Sequence, residues 1–278
     1  MPLPALLMPM IRLFALLVLV LTTQRALGQN DKLNIYTEQQ DGSIFVYADN
    51  AQLYPQSVSL TLDLKGLKPK EPVPDWIVVP PGSQKMLLSE LVIPLNRSWS
   101  YSYSYLYYKG NINAEHNDAY EYRLPYQTGK SFKLVQGYFG AASHAGKRAL
   151  DFNMPEGETV VAARPGIVIE IKEDSDRGCP DQRCAKLGNY VTIMHDDGTF
   201  ADYYHLQKDG ALVNPGDEVE AGQEIGLSGS TGWATGPHLH FIVYKPSENG
   251  KESFPTRFKT GGPEAILLTV KESYTAVE

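Results

Sequence analysis

Two of the six histidines in this 278-residue chain stand one residue apart, in GWATGPHLHFIVY at residues 232–244. On a strand, side chains at i and i+2 leave the same face, so His238 and His240 point together while Leu239 and Phe241 point into a core. Two imidazoles on one exposed face suit metal binding or acid–base work. Two other segments add the same kind of chemistry. SHAGKRALDF carries His144 and, seven residues on, Asp151, and ADYYHL carries His205. AGKRA reads as a loop and LDF as the start of a strand. His205 is expected at a strand end, on one face with Ala201 and Tyr203. A carboxylate and two imidazoles around zinc, with a fourth position open, form a standard catalytic arrangement.

The two remaining histidines read differently. His195 in IMHDDGT follows Val191 and Ile193 on an apolar face and is expected to be structural. His116 in NAEHNDAY is expected to be a solvated loop residue. Asn189 in GNYV is either a support for the histidine site or a turn former.

The elements that must position these residues are strands. Hydrophobic residues make up 42% of the chain and charged residues 21%, enough for a real core, while 24 Gly and 19 Pro call for many turns. In residues 30–128, SVSLTLDL places Val58, Leu60, Leu62 and Leu64 on one face. WSYSYSYLYY does the same with Trp99, Tyr101, Tyr103, Tyr105 and Tyr107. The aromatic row is a half-buried sheet face or a platform for sugars, and a small β-sandwich is the expected architecture. From residue 131 onward, short apolar strands alternate with Gly-marked turns, and no long amphipathic helix is apparent. PGDEVEAGQEIG resembles the hairpin of lipoyl and biotinyl carrier domains, but no Lys lies between Lys208 and Lys245 to carry the modification, so this hairpin is read as structural.

Residues 1–28 read as a secretory signal. They contain no acid, an Arg12 ahead of the apolar run Leu13 to Leu21, and a small-x-small site at Ala26-Leu27-Gly28, with Gln29 as the expected mature start. The run is short for a full span, and no later segment is apolar enough to cross a membrane. The formal charge is −7; without Arg12 and Arg25 there are 23 basic and 32 acidic residues, or −9. Such a chain is a poor nonspecific partner for nucleic acid. The two cysteines, Cys179 and Cys184 within DRGCPDQRC, are expected to form a disulfide in an oxidising compartment.

Taken together, SH…ALDF, YYHL and SGSTG…GPHLHF resemble the lysostaphin/LytM-type zinc metallopeptidases, over residues 131 to 247. That resemblance implies a fold, an activity and a site. The fold is all-β, with an N-terminal small β-sandwich followed by a mostly antiparallel β-sheet peptidase domain with an open groove. The activity is hydrolysis of peptide bonds in peptidoglycan, with one Zn2+ per chain. His144, Asp151 and His240 are the implied metal ligands, and His205 and His238 the implied catalytic histidines. One feature departs from the best-known members. They have three residues between the first His and the Asp, whereas six separate His144 from Asp151 here; related exported members with an ALDF-like strand also carry the longer loop. The expected division is a signal at 1–28, a β-rich domain at 29–128, a peptidase domain at 129–250 and a tail at 251–278, exported to the periplasm or medium. A non-catalytic wall-binding or amidase-activating relative is the alternative reading. The bond cut, the role of the first domain and the oligomeric state are open.

Overall fold

The computed structural model of the chain describes residues 33–278; the expected signal at 1–28 and the mature start at Gln29 lie outside the described residues. The first seven strands are β1 (Leu33–Gln40), β2 (Ser43–Asn50), β3 (Gln56–Lys65), β4 (Lys68–Pro69), β5 (Ile77–Val79), β6 (Met86–Val92) and β7 (Ser100–Lys109). They build a four-stranded sheet, ordered β1-β2-β6-β4, and a three-stranded sheet, ordered β5-β3-β7. Period-two patterning explains the sandwich. Val58 and Leu60 of β3 and Tyr103 of β7 meet Ile35, Val46 and Ala48 from the other sheet in one buried cluster. Tyr101, Tyr105 and Tyr107 pack against the same cluster, so the aromatic row is a core face. The Tyr103 hydroxyl donates to the Ile35 carbonyl at 3.0 Å across the two layers.

The remaining strands are β8 (Glu121–Tyr122), β9 (Ser131–Gln136), β10 (Ala149–Asn153), β11 (Thr159–Val161), β12 (Gly166–Lys172), β13 (Gly178–Cys179), β14 (Asn189–Met194), β15 (Phe200–Ala211), β16 (Glu218–Val219), β17 (Glu224–Ser228), β18 (Gly232–Trp233), β19 (Leu239–Ser247), β20 (Gly250–Ser253), β21 (Arg257–Phe258) and β22 (Ser273–Thr275). Among the described residues the one helical segment is a 3-10 helix at Gln182–Leu187. An eleven-stranded sheet runs β16-β12-β14-β15-β19-β10-β9-β22, with β17 joined to β15, β11 joined to β17 and β20 joined to β19. Its pairings are antiparallel. β16 and β17 pair with different strands, β12 for the first and β11 and β15 for the second. The expected hairpin at PGDEVEAGQEIG is therefore two strands feeding separate parts of the sheet.

Leu239, Phe241 and Val243 of β19, Val191 and Ile193 of β14 and Tyr203 of β15 all enter one large core. Burying each such apolar side chain contributes roughly 1.5–3 kcal/mol. Tyr122, Leu124 and Tyr126 from the connection after β7 lie in that core as well. So does part of the stretch after residue 250: Phe258 is fully buried, and β22 pairs with β9. The opposite face of the sheet carries His240, Ile242 and Tyr244, and at one end it is covered by Tyr54 of the first half. No helix of the described residues is long and apolar enough to cross a membrane.

Candidate active site

The pairing of β10 with β19 sets Asp151 directly opposite His240. Both strands present these residues on the face away from the apolar core. His144 arrives from the loop before β10, and its side chain is fully buried. His240 Nδ1 lies 2.9 Å from Asp151 Oδ1, His144 Nε2 lies 3.1 Å from the same oxygen, and the two imidazole nitrogens are 3.2 Å apart. Ligand atoms on a tetrahedral ion with bonds of 2.0–2.2 Å stand about 3.3 Å from one another, so this set has the dimensions of a metal site. The tautomer agrees. His144 Nδ1–H donates to the Gly137 carbonyl at 2.9 Å, which leaves the Nε2 lone pair aimed at the other two donors. These three residues form the group among the described residues that could hold a metal ion. Burial alone would raise the Asp151 carboxyl, but its close polar contacts with the His144 and His240 imidazoles outweigh it and hold the group well below the ordinary range.

The other two histidines stand beside this cluster. The rings of His205 and His238 are 4.4 Å apart, those of His205 and His240 5.9 Å, and His238 Nε2 is 4.0 Å from Asp151 Oδ1. His205 Nδ1–H donates to the Thr231 carbonyl at 2.7 Å, and His238 Nδ1–H to the Gly236 carbonyl at 2.9 Å. Each therefore offers Nε2 as an acceptor toward the cleft. Burial, reinforced by His238 and His240, pushes His205 down to about 3, so it is neutral near pH 7.

His205 reaches this position by a route that alternation does not predict. Ala201 and Tyr203 enter the core, and strict alternation would send His205 after them. Instead Tyr190 pairs with Tyr204 while the next residue back, Asn189, pairs with Leu206, so His205 is an extra residue in β15. The bulge gives His205 a φ of 70° and turns its ring out to the cleft. It also corrects the expected position at a strand end, because β15 continues to Ala211. The bulge is clamped from below. Thr231 Oγ1 donates to the Leu206 carbonyl at 2.7 Å and accepts the Asn189 N–H at 2.9 Å. The buried Asn189 amide donates to the Ser175 and Gln207 carbonyls and accepts the Ser175 N–H. Of its two sequence readings, the structure gives Asn189 the supporting one.

Gln136 and Thr231 were not among the residues singled out by sequence. Gln136 Nε2 donates to Asp151 Oδ2 at 3.1 Å and to Ser143 Oγ at 2.7 Å. A signal existed: Phe132, Leu134 and Gln136 alternate on one face of β9, and the last of them is polar. His195 is 3% exposed and donates from Nδ1 to the Pro165 carbonyl at 2.8 Å, as a structural residue should. His116 corrects its expectation. Its side chain is 2% exposed, stacks on Phe254 with ring centroids 4.6 Å apart, and bonds Asp118 and the Tyr122 hydroxyl. The loop is polar, but it folds its one imidazole inward against an aromatic cluster.

Cys179 and Cys184 form a disulfide. Their loop is sewn to the cleft, since Cys179 pairs with Trp233 and Gly232 crosses Gly188 so closely that a Cβ there would lie 2.5 Å from the Gly188 Cα. The cleft has two arms meeting at the histidines. One is lined by Gln136, Ser143, Asn153, Trp233 and Thr235, the other by Lys147, Ala185, Asp202, Tyr204, Asn249 and Lys251.

The profile of peptidase family M23 matches residues 145–255. Peptidoglycan DD-endopeptidase ShyA of Vibrio cholerae is 41% identical over 91 residues, which is 33% of this chain and 18% of that protein. Lysostaphin of Staphylococcus simulans is 40% identical over 93 residues, 33% of this chain and 17% of its own length. The matches to these curated relatives thus span about a fifth of their length. The solved catalytic domain of lysostaphin from Staphylococcus simulans aligns with 29% identity and a TM-score of 0.34, covering 45% of this chain and 87% of that one. On the sequence matches, residues 145–255 of this chain are a peptidase family M23 domain, homologous to the lysostaphin-type enzymes.

Proposed function

We propose that this chain is an exported zinc endopeptidase that hydrolyses peptide bonds in the stem peptides or cross-links of bacterial peptidoglycan. One observation carries the reading: two imidazoles, His205 and His238, with their Nδ1 sides held by backbone carbonyls, stand beside a His144–Asp151–His240 donor set on the floor of an open cleft. The names of the relatives, a peptidoglycan DD-endopeptidase and lysostaphin, support the substrate class.

His144, Asp151 and His240 are the metal ligands in this reading. Two imidazoles and a carboxylate suit zinc and leave a position for substrate. Bound there, zinc would supply Lewis acidity to a peptide carbonyl and to water. The chain's own groups do the rest. Gln136 keeps the Asp151 carboxylate turned toward the donors, and the Gly137 carbonyl keeps His144 in its ligating tautomer. Of His205 and His238, one takes the proton of the attacking water on Nε2. The resulting imidazolium donates to the developing oxyanion and then returns the proton to the leaving amine. Residues 129–250 hold all five side chains, with a β-rich domain at 29–128 ahead and the segment 251–278 behind. Residues 1–28 serve as the export signal, and an acidic, disulfide-bonded product fits the periplasm or medium.

The test is mass spectrometry of purified peptidoglycan after incubation with the zinc-loaded protein. New peptide fragments are expected with the intact chain and none with a His240→Ala control. Identical profiles in the two samples would refute the proposal.

A further inference from the structure

A second set of fixed charges lies in the same cleft, on the same sheet face, beyond the histidines. Along the β15–β19 pair, Tyr204 stands opposite His240 and Asp202 opposite Ile242. The step from one pair to the next is two residues, about 7 Å. Asp202 is 1% exposed and accepts from Thr192 Oγ1 at 2.7 Å, from Tyr244 OH at 3.2 Å and from Lys251 Nζ at 2.8 Å. The Lys251 ammonium also sits 3.8 Å from the centre of the Tyr244 ring. Half of the Lys251 side chain is nevertheless exposed, at 49%. A free lysine surrenders rotamer freedom when it binds an anion. This one is already held by a buried carboxylate and a ring face, with donor capacity left toward the cleft.

The two arms of the cleft differ. The arm with Gln136, Asn153 and Thr235 has no cationic side chain among its lining residues, whereas the other has Lys251 and, at its rim, Lys147. The Lys251 arm also ends at a wall. Trp76 Nε1–H donates to Glu248 Oε1 at 3.0 Å and Tyr108 OH to the Glu248 carbonyl at 3.1 Å, which fixes the hairpin that carries Asn249 and Lys251 against the first half of the chain. An extended peptide in this arm meets a fixed ammonium about two residues from the His240 level, and farther along the same face Tyr54 and Lys109 already lie over Phe200.

We propose that this arm is a subsite for the C-terminal carboxylate of the bound peptide, with Lys251 as its partner. The arm would select substrates in which the chain terminates about two residues from the scissile bond. The proposal rests on reading the cleft as a peptidase site and deepens it. It also gives the first half of the chain a role, as the wall that makes the arm blind.

The test uses the full chain and two synthetic cross-linked stem-peptide dimers, one with a free C-terminal carboxylate and one made as the C-terminal amide. Binding is measured by calorimetry on chelator-treated protein, where no turnover occurs. The wild type should bind the acid about tenfold more tightly than the amide, the range for one half-exposed charge-assisted contact. Lys251→Gln should bind both with the affinity the wild type shows for the amide, and Lys251→Arg should keep the preference. A wild type that binds the two alike or binds neither, or a Lys251→Gln protein that melts normally and keeps the preference, overturns the subsite. Turnover of the same dimers by zinc-loaded protein separates the two readings. An acid preference in binding without cleavage would sink the peptidase and leave the subsite, and cleavage of both dimers without preference would do the reverse.

Discussion

Replacing Asn189 by Ala tests whether the bulge at His205 is built by its supports. Asn189 is fully buried, and its side chain makes three hydrogen bonds: to the Ser175 carbonyl at 2.8 Å, to the Gln207 carbonyl at 3.1 Å and from the Ser175 N–H at 3.1 Å. Truncation leaves two carbonyls and one N–H buried without a partner. At about 1 kcal/mol for each bond, and up to 3 for a group left dry, the loss is about 3 kcal/mol, or roughly a hundredfold in the folding constant. With a slope near 3 kcal/mol per M, the urea midpoint should fall by about 1 M. One of the freed partners, the Gln207 carbonyl, lies two residues beyond His205 on the same strand, so its seat should loosen as well. The proposed metal donors, His144, Asp151 and His240, lie on other elements and should be untouched. Urea unfolding of the purified chain, with metal content and turnover measured on the same samples, reads all three. The expected result is a large midpoint shift, full metal content and reduced turnover. A loss below about 1 kcal/mol would refute the reasoning, because it would show that the amide is replaceable by water.

Three further predictions follow from the same geometry. His238→Ala should retain zinc, measured by elemental analysis, and lose hydrolysis, whereas His240→Ala should lose both; a His238→Ala protein with full turnover would reverse the assigned roles. Burial pushes His195 down to about 4 from an ordinary 6.5, so its neutral form is favoured by folding. The stability this gives is complete above about pH 6.5 and is lost as pH falls toward 4, by about 3 kcal/mol. His195→Gln should flatten the melting temperature across that window, and an unchanged slope would count against the linkage. Reduction of Cys179–Cys184, which closes a loop worth about 2 kcal/mol of unfolded-state entropy, should loosen the wall carrying Ala185 and Trp233. KM should rise with kcat little changed, and a constant KM in reductant would argue that the loop stands apart from binding.

Much of the candidate site was legible because its residues sit in strands with clean alternation. His240, Leu239 and Phe241 sort themselves by period two, and Asp151 lies in a short apolar run whose strand character is plain. His205 was legible as chemistry but not as geometry. Its outward turn depends on an inserted residue opposite Asn189, and a register shift between two strands leaves no mark in either strand alone. Gln136 was hidden for a related reason: a polar residue at the end of an apolar face means little until the acid it serves is beside it. His116 misled because a polar neighbourhood in sequence says nothing of which aromatic rings fold over it.

The sequence by itself determined the all-β character, the inward and outward faces, the close cysteine pair and which side chains could do chemistry. These follow from local rules, strand periodicity, turn formers and functional-group chemistry, each of which acts within a few residues. The tertiary structure alone decided that His144 and Asp151 meet His240 across ninety residues of chain, that His205 turns outward, and that Asp202 fixes Lys251 at a walled end of the cleft. Those are properties of strand pairing and register, which belong to contacts between segments and are carried by no single segment.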